Sequence, residues 1–189
     1  MSQQDSAKTA NPGYRDPAKM VTGVCTFSYL NCWSPRLVPG ATKAKYSVVL
    51  LIPKDDDETV TKIHASIKAA YDKGQDTLKG TDDTIPAIED ILLPLKDGDK
   101  ERPHDKAYAG CWFLKASSST APGVIDSCFR PITNHSEMYS GVKGKASITF
   151  YAFNAVTSRG IAVGLNNLQK VSDGAPIARK VTAQEDFAK

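Results

Sequence analysis

No apolar run in the sequence approaches the roughly 20 residues that a membrane-spanning helix needs, so no membrane partner is expected. No CxxC pair is present either; Cys25, Cys32, Cys111 and Cys128 form no regular framework. The polar N-terminus, MSQQDSAKTANPGYRDPAK, lacks the apolar stretch of a secretory signal. Reduced thiols in a cytoplasm are therefore expected rather than disulfides. Histidine is scarce: His64, His104 and His135 stand alone, none at finger spacing from a cysteine or another histidine. That excludes an ordinary structural zinc, and no other cofactor or metal is expected.

Catalytic motifs are also missing. Gly144-Lys145-Ala146-Ser147 has the ending of a phosphate-binding loop, but Tyr139 stands where the upstream glycine is required. Asp97–Glu101 resembles the start of a calcium loop, but Arg102 and Tyr108 take the glycine and glutamate positions. Asp55–Asp57 would be the carboxylates of a metal-dependent nuclease; helix capping accounts for them without a metal. The chain is not expected to be an enzyme.

What is present is charge sorted along the chain. Met20–Lys54 carries Arg36, Lys43, Lys45 and Lys54 and no acid. Residues 55–105 carry fourteen acids and seven bases, and residues 106–170 carry seven bases and two acids. The net charge is only +3, yet such segregation gives one face a positive field if the basic segments meet.

Residues 1–19 are expected to form a disordered arm, since Asn11-Pro12-Gly13 and Asp16-Pro17 break any element. Strands are expected at Met20–Leu30, Lys43–Pro53, Ala109–Ser118 and, shorter, Pro122–Asp126. Asn31–Thr42, Lys96–Lys106 and Ser127–Ser140 read as loops. Tyr139–Val171 reads as a long hairpin, with Ala146, Ile148, Phe150 and Ala152 facing a core. One helix is expected at Asp55–Lys73, from the spacing of Val60, Ile63, His64, Ile67, Ala70 and Tyr71. Asp55 and Glu58 resemble its capping box, and Gly74 its stop. Residues 173–189 are expected to be a mobile tail. The fold class is all-β with one inserted helix: an OB-fold, a five-stranded Greek-key barrel with extended loops, over residues 20–172.

Three strands place aromatic rings and cations on the face opposite the expected core. Phe27 and Tyr29, Phe113, and Tyr151 with Phe153 are the candidate stacking residues, joined by Trp33 in the acid-free loop. Lys43, Lys45, Lys115, Lys143 and Lys145, with Arg36 and Arg130, are the candidate phosphate contacts. Rings that stack on bases beside cations that track phosphates are what a single strand of nucleic acid needs. The alternative for any one ring is burial under the helix or in a homodimer interface, as in a structural or assembly protein with an aromatic subunit contact.

The blocks YSVVLLIPK (46–54), LKDGDKERPHDKAYAG (95–110), CWFLKASS (111–118), PGVID (122–126), Tyr139-Ser140-Gly141 and GIAVGLNNLQKV (160–171) resemble a family of tailed-bacteriophage proteins, single-stranded DNA-binding proteins with an OB-fold. The resemblance spans residues 21–186. It implies non-sequence-specific coating of single-stranded DNA in phage replication or recombination, without catalysis, in the cytoplasm of the infected host. It also implies phage or host replication proteins as further partners. Gln184-Glu185-Asp186-Phe187 is similar to the acidic, aromatic tail by which such proteins dock partners, although Ala188 and Lys189 follow it.

Overall fold

Strict alternation of small apolar and polar residues makes the strands, and the strands make a closed surface. The computed structural model describes residues 15–80 and 83–177. Among them are eight strands in one sheet. They are β1 Lys19–Val21, β2 Cys25–Arg36, β3 Lys45–Pro53, β4 Lys96–Asp97, β5 Cys111–Ser118, β6 Gly123–Ile125, β7 Lys143–Ala155 and β8 Ser158–Ser172. Five of these form a ring: β2 pairs β3, β3 pairs β5, β5 pairs β8, β8 pairs β7, and β7 returns to β2. Closing the ring satisfies the backbone groups that an open sheet would leave at its edges. This is the expected five-stranded barrel; β1, β4 and β6 extend it along β7, β5 and β8.

The core is the inside of the ring. Val48, Leu50 and Ile52 from β3, Leu114 and Ala116 from β5, and Ala146, Ile148 and Phe150 from β7 are all buried. Leu165 and Leu168 from β8 join them. At the seam between β2 and β7, Phe27 lies over Gly144, where an added Cβ would stand 2.2 Å from Gln169 O and 2.7 Å from Phe27 Cζ.

Helix α1, Asp57–Lys73, follows β3 and packs against β7, burying Ile63, Ile67 and Ala70. Its cap is Asp56, whose carboxylate accepts from Thr59 N at 3.0 Å, so the expected Asp55–Glu58 box is displaced by one residue. His64, placed on the apolar stripe from sequence, is exposed, because the buried stripe is Thr59, Ile63, Ser66, Ile67 and Ala70. Gly74 ends the helix, donating to Ala70 O and Tyr71 O. A second short helix, α2, covers Gln75–Leu78.

Several boundaries differ from expectation. The first strand breaks after Val21 and resumes at Cys25, then runs on to Arg36, so half of the expected loop 31–42 is strand. The expected loop 96–106 contains β4 and a short helix α3, Gly98–Glu101. Ala18 is already buried, and Lys73 holds Asp16 at 3.1 Å, so the last residues of the expected arm belong to the fold. After β8 the chain is also held: Tyr139 OH donates to Gly174 O at 2.9 Å, and Ile177 N to Ser140 O at 3.0 Å. The rest of the expected arm and tail lies outside the described residues.

Phe27, expected to stack on a ligand, is instead fully buried. Alternation in β2 fails between Ser28 and Asn31, where the register shifts and Tyr29 takes a φ of +45°. A bulge of this kind swings the next side chain to the other face. Phe27 and Tyr29, two residues apart, therefore point to opposite sides. Phe27→Ala is expected to destabilise the fold by about 3–5 kcal/mol. Tyr29→Ala is expected to cost less than about 1 kcal/mol. Denaturant unfolding of the two variants measures both, and equal losses would refute the opposite placement of the two rings.

Candidate nucleic-acid interface

β3 and β5 pair without a break from Tyr46 opposite Ser118 to Pro53 opposite Cys111. Directly opposed residues share a face. Ser47 with Ser117, Val49 with Lys115, and Leu51 with Phe113 thus form three rows on the outside of the barrel. Ser47, Val49, Phe113, Lys115 and Ser117 floor an open cleft of about 580 Å³, while Leu51 is buried. One wall is the end of β2 and the loop beyond it, carrying Arg36, Val38, Ala41 and Lys43, with Lys45 at the start of β3. The other wall is the segment before β5, carrying Pro94, Lys96, Arg102 and Tyr108. Tyr29 and, from β8, Ile161, Ala162 and Val163 complete the lining.

The lining holds six cations, Arg36, Lys43, Lys45, Lys96, Arg102 and Lys115, and no acid. Among the described residues none of the six forms an ion pair, whereas Lys54, Lys62, Lys68, Lys73, Lys79, Arg130 and Lys170 elsewhere each have a carboxylate partner. Six cations without an ion pair thus meet around one concave surface that no acid lines, where fields from several groups add.

Aromatic groups form part of the floor. Tyr108 is buried and meets Phe113 edge-on, with ring centroids 5.0 Å apart and planes at 87°. Arg102 lies over the Tyr108 ring, its guanidinium carbon 5.5 Å from the ring centroid. Burial pushes the Tyr108 phenol upward, so it stays protonated at neutral pH. Tyr29, in contrast, is 55% exposed at the rim.

The wall that carries Arg102 and Tyr108 is tied to the end of β3. Lys54 Nζ reaches Asp97 at 2.6 Å and Asp99 at 2.7 Å, and stands 5.3 Å from the Trp112 ring centroid. Asp99 also accepts from Gly110 N at 2.9 Å, and Lys54 N donates to Gly110 O at 3.0 Å. The acids in this stretch therefore hold the wall, and they do not face the cleft.

Six of the residues proposed from sequence meet in the cleft: Tyr29, Arg36, Lys43, Lys45, Phe113 and Lys115. Tyr151 lies beside it, opposite Ala162 on β8 and 44% exposed. Lys143 and Lys145 sit further along β7, toward its start. Phe153 is half-buried opposite Gly160, against which Leu92 packs. Trp33 does not form a free clamp: it stacks on His135 at 4.3 Å and donates from Nε1 to His135 O. Arg130 is paired with Asp126 at 2.8 Å, outside the cleft. Sequence reading missed Lys96 and Arg102, because they lie in the segment 55–105 that is acidic overall, and Tyr108, because it falls between the expected loop 96–106 and the expected strand 109–118.

A closed barrel with a basic, partly aromatic cleft on its outer face is the architecture of an oligonucleotide-binding OB-fold protein. Residues 18–189 match the family described as the ssDNA-binding protein of Enterobacter phage Enc34, and the chain belongs to that family. It is 30% identical over 145 residues to putative protein p50 of Acyrthosiphon pisum secondary endosymbiont phage 1, an alignment covering 75% of this chain and 77% of the relative. The single-stranded DNA-binding protein of bacteriophage Enc34, solved in complex with ssDNA, superposes with a TM-score of 0.72 at 22% identity, over 85% of this chain and 90% of that one. The gp2.5 single-stranded DNA-binding protein of bacteriophage T7 superposes with a TM-score of 0.61 at 15% identity, over 87% of this chain and 97% of that one.

The tie at Lys54 has a pH signature. The Lys54 hydrogen bonds hold Asp97 and Asp99 below the usual carboxylate range. A carboxylate with a depressed folded-state pKa contributes stability above its unfolded value, near 4, and loses it as pH falls through the folded value. Exchange protection of the Gly110 amide, corrected for intrinsic rate, is thus expected to be constant from neutral pH to about 5 and to fall only below about 4. Lys54→Met should shrink that acid step and move it to higher pH, the Gly110 hydrogen bond to Asp99 remaining; an unchanged step would mean that another group produces it.

Proposed function

We propose that this protein binds single-stranded DNA in the cleft without sequence preference, and acts by binding alone, with no catalysis. The observation that carries this reading is the set of six cations that form no ion pair among the described residues, with no acid, in a cleft also lined by Tyr29, Tyr108 and Phe113. Phosphates meet Arg36, Lys43, Lys45, Lys96, Arg102 and Lys115, while bases stack on exposed ring faces, foremost Tyr29 and Phe113. Every base has a π face, so stacking tolerates any sequence. Double-stranded DNA turns its bases inward and gains only the phosphate contacts. Tyr151, and beyond it Lys145 and Lys143, continue the interface along β7.

Membership in the Enc34 family supports a role in phage DNA replication or recombination. In that role the protein acts in the cytoplasm of the infected host; among the described residues no helix is long and apolar enough to cross a membrane. The barrel is the binding domain, within residues 20–172.

Fluorescence or gel-shift titration against a mixed-sequence oligonucleotide and its duplex tests the reading. Single strands should bind more tightly, with a log–log salt slope of about −4 if all six cations each neutralise one phosphate at roughly −0.7 apiece. Arg102→Ala and Lys115→Ala should each make the slope shallower by about 0.7. Lys62→Ala, on α1 and already paired with Glu58, should change nothing. Absence of binding at low salt, or equal affinity for the duplex, would overturn the proposal.

A further inference from the structure

Phe129 is 77% exposed and holds a φ of +62°, a conformation that a bulky side chain rarely adopts. Strain of this kind persists only where the surroundings enforce it. Here Asp126 enforces it. Its Oδ1 accepts from Cys128 N at 2.8 Å and from Arg130 N at 2.9 Å, and its backbone carbonyl accepts from Phe129 N at 3.1 Å. Its Oδ2 accepts from Arg130 Nε at 2.9 Å. Gln169 Nε2 donates to Asp126 O at 3.3 Å and ties the turn to β8. A rigid turn thus points one aromatic ring at solvent.

The surroundings of that ring favour a base over a protein. Ser127, Cys128, Thr133 and Asn134 nearby are exposed and small or polar, so the ring is isolated and does not belong to the contiguous apolar patch that a protein interface needs. The sheet places cations at the same level. Ile125 pairs with Gln169, and Gln169 with Lys145, so these side chains share the outer face. Among the described residues neither Lys145 nor the exposed Lys143 has a carboxylate partner, and Asp126 is neutralised by Arg130. Between this level and the cleft the outer face carries Ser147, Thr149 and Asn166, whose amide donates to both hydroxyls. No acid interrupts that stripe along β7, which ends at Tyr151 beside the cleft.

We propose that the Asp126–Arg130 turn presents Phe129 as a second base-stacking platform, with Lys143 and Lys145 as its phosphate contacts. It lies roughly 20 Å along β8 from the cleft, at about 3.3 Å per residue. A bound strand then runs from the cleft over Tyr151 and along β7 to Phe129. This rests on the single-stranded DNA reading and sets the length of strand that the protein covers.

The test uses the full chain and two oligothymidylates, of about 6 and about 24 nucleotides, the first sized for the cleft alone. Phe129→Asn removes the ring while tolerating the left-handed backbone. It should weaken the long strand about five- to 150-fold and leave the short one unchanged. Phe129→Tyr should restore wild-type affinity. Lys145→Ala leaves the turn intact and should show the same length dependence, with a slope shallower by about 0.7 on the long strand only. Unchanged long-strand affinity in Phe129→Asn, or an equal loss on both lengths, overturns the second platform. Failure of the wild type to bind either strand overturns the underlying reading, and the platform with it.

Discussion

The whole arrangement depends on a contact between a ring and an absent side chain. β2 and β7 pair Cys25 with Gly144 and Thr26 with Lys143, Phe27 extends the seam by donating to Val142 O and accepting from Gly141 N, and its ring fills the space over Gly144. Any Cβ at that position would collide with Gln169 O of β8 as well as with the ring. Three strands therefore converge on one glycine, and their approach is what turns a curved sheet into a ring. Once closed, the ring has a fixed inside and outside. Tyr29, Lys115 and Tyr151 then belong to one continuous exterior, though they lie far apart in sequence.

Much of this was legible from periodicity. The β3–β5 faces and the inward row of β7 follow period-2 alternation, and Ile63, Ile67 and Ala70 follow the helical period. Six cleft residues could be named for the same reason, since polar and aromatic residues on a strand's second face have nowhere else to go. The failures have local causes. Phe27 was assigned outward because alternation was extended through a bulge that no composition signal marks. Trp33 and Arg130 were read as free because their partners, His135 and Asp126, are visible only after folding. Lys96 and Arg102 were passed over because linear charge counts their acidic neighbours against them, although Asp97 and Asp99 face Lys54.

The charge distribution is a consequence of pairing more than of number. Acids outnumber bases in the segment from 55 to 105, yet most of the work of those acids is internal to the fold. Asp56, Asp97 and Asp105 cap helical turns, and Glu58, Asp72 and Asp76 partner lysines on or beside α1 and α2. The cations of the cleft come from segments poor in acids, apart from Lys96 and Arg102. A molecule with a net charge of +3 can for this reason present a concave surface whose local charge is larger than its total.

The bulge at Ser28–Asn31 has a different kind of consequence. A strand can be threaded through a sheet in two phases, and this strand uses both: one before Tyr29 and the other after it. Residues upstream answer to the barrel interior, while those downstream lead to the rim that ends at Arg36. The two halves of β2 can therefore drift in sequence under separate constraints. Loss of a single residue between them would invert wet and dry along the whole second half, whereas length changes in the loop 37–44 would alter only its reach. Relatives of this barrel should consequently vary the loop freely and keep the residue count across the bulge.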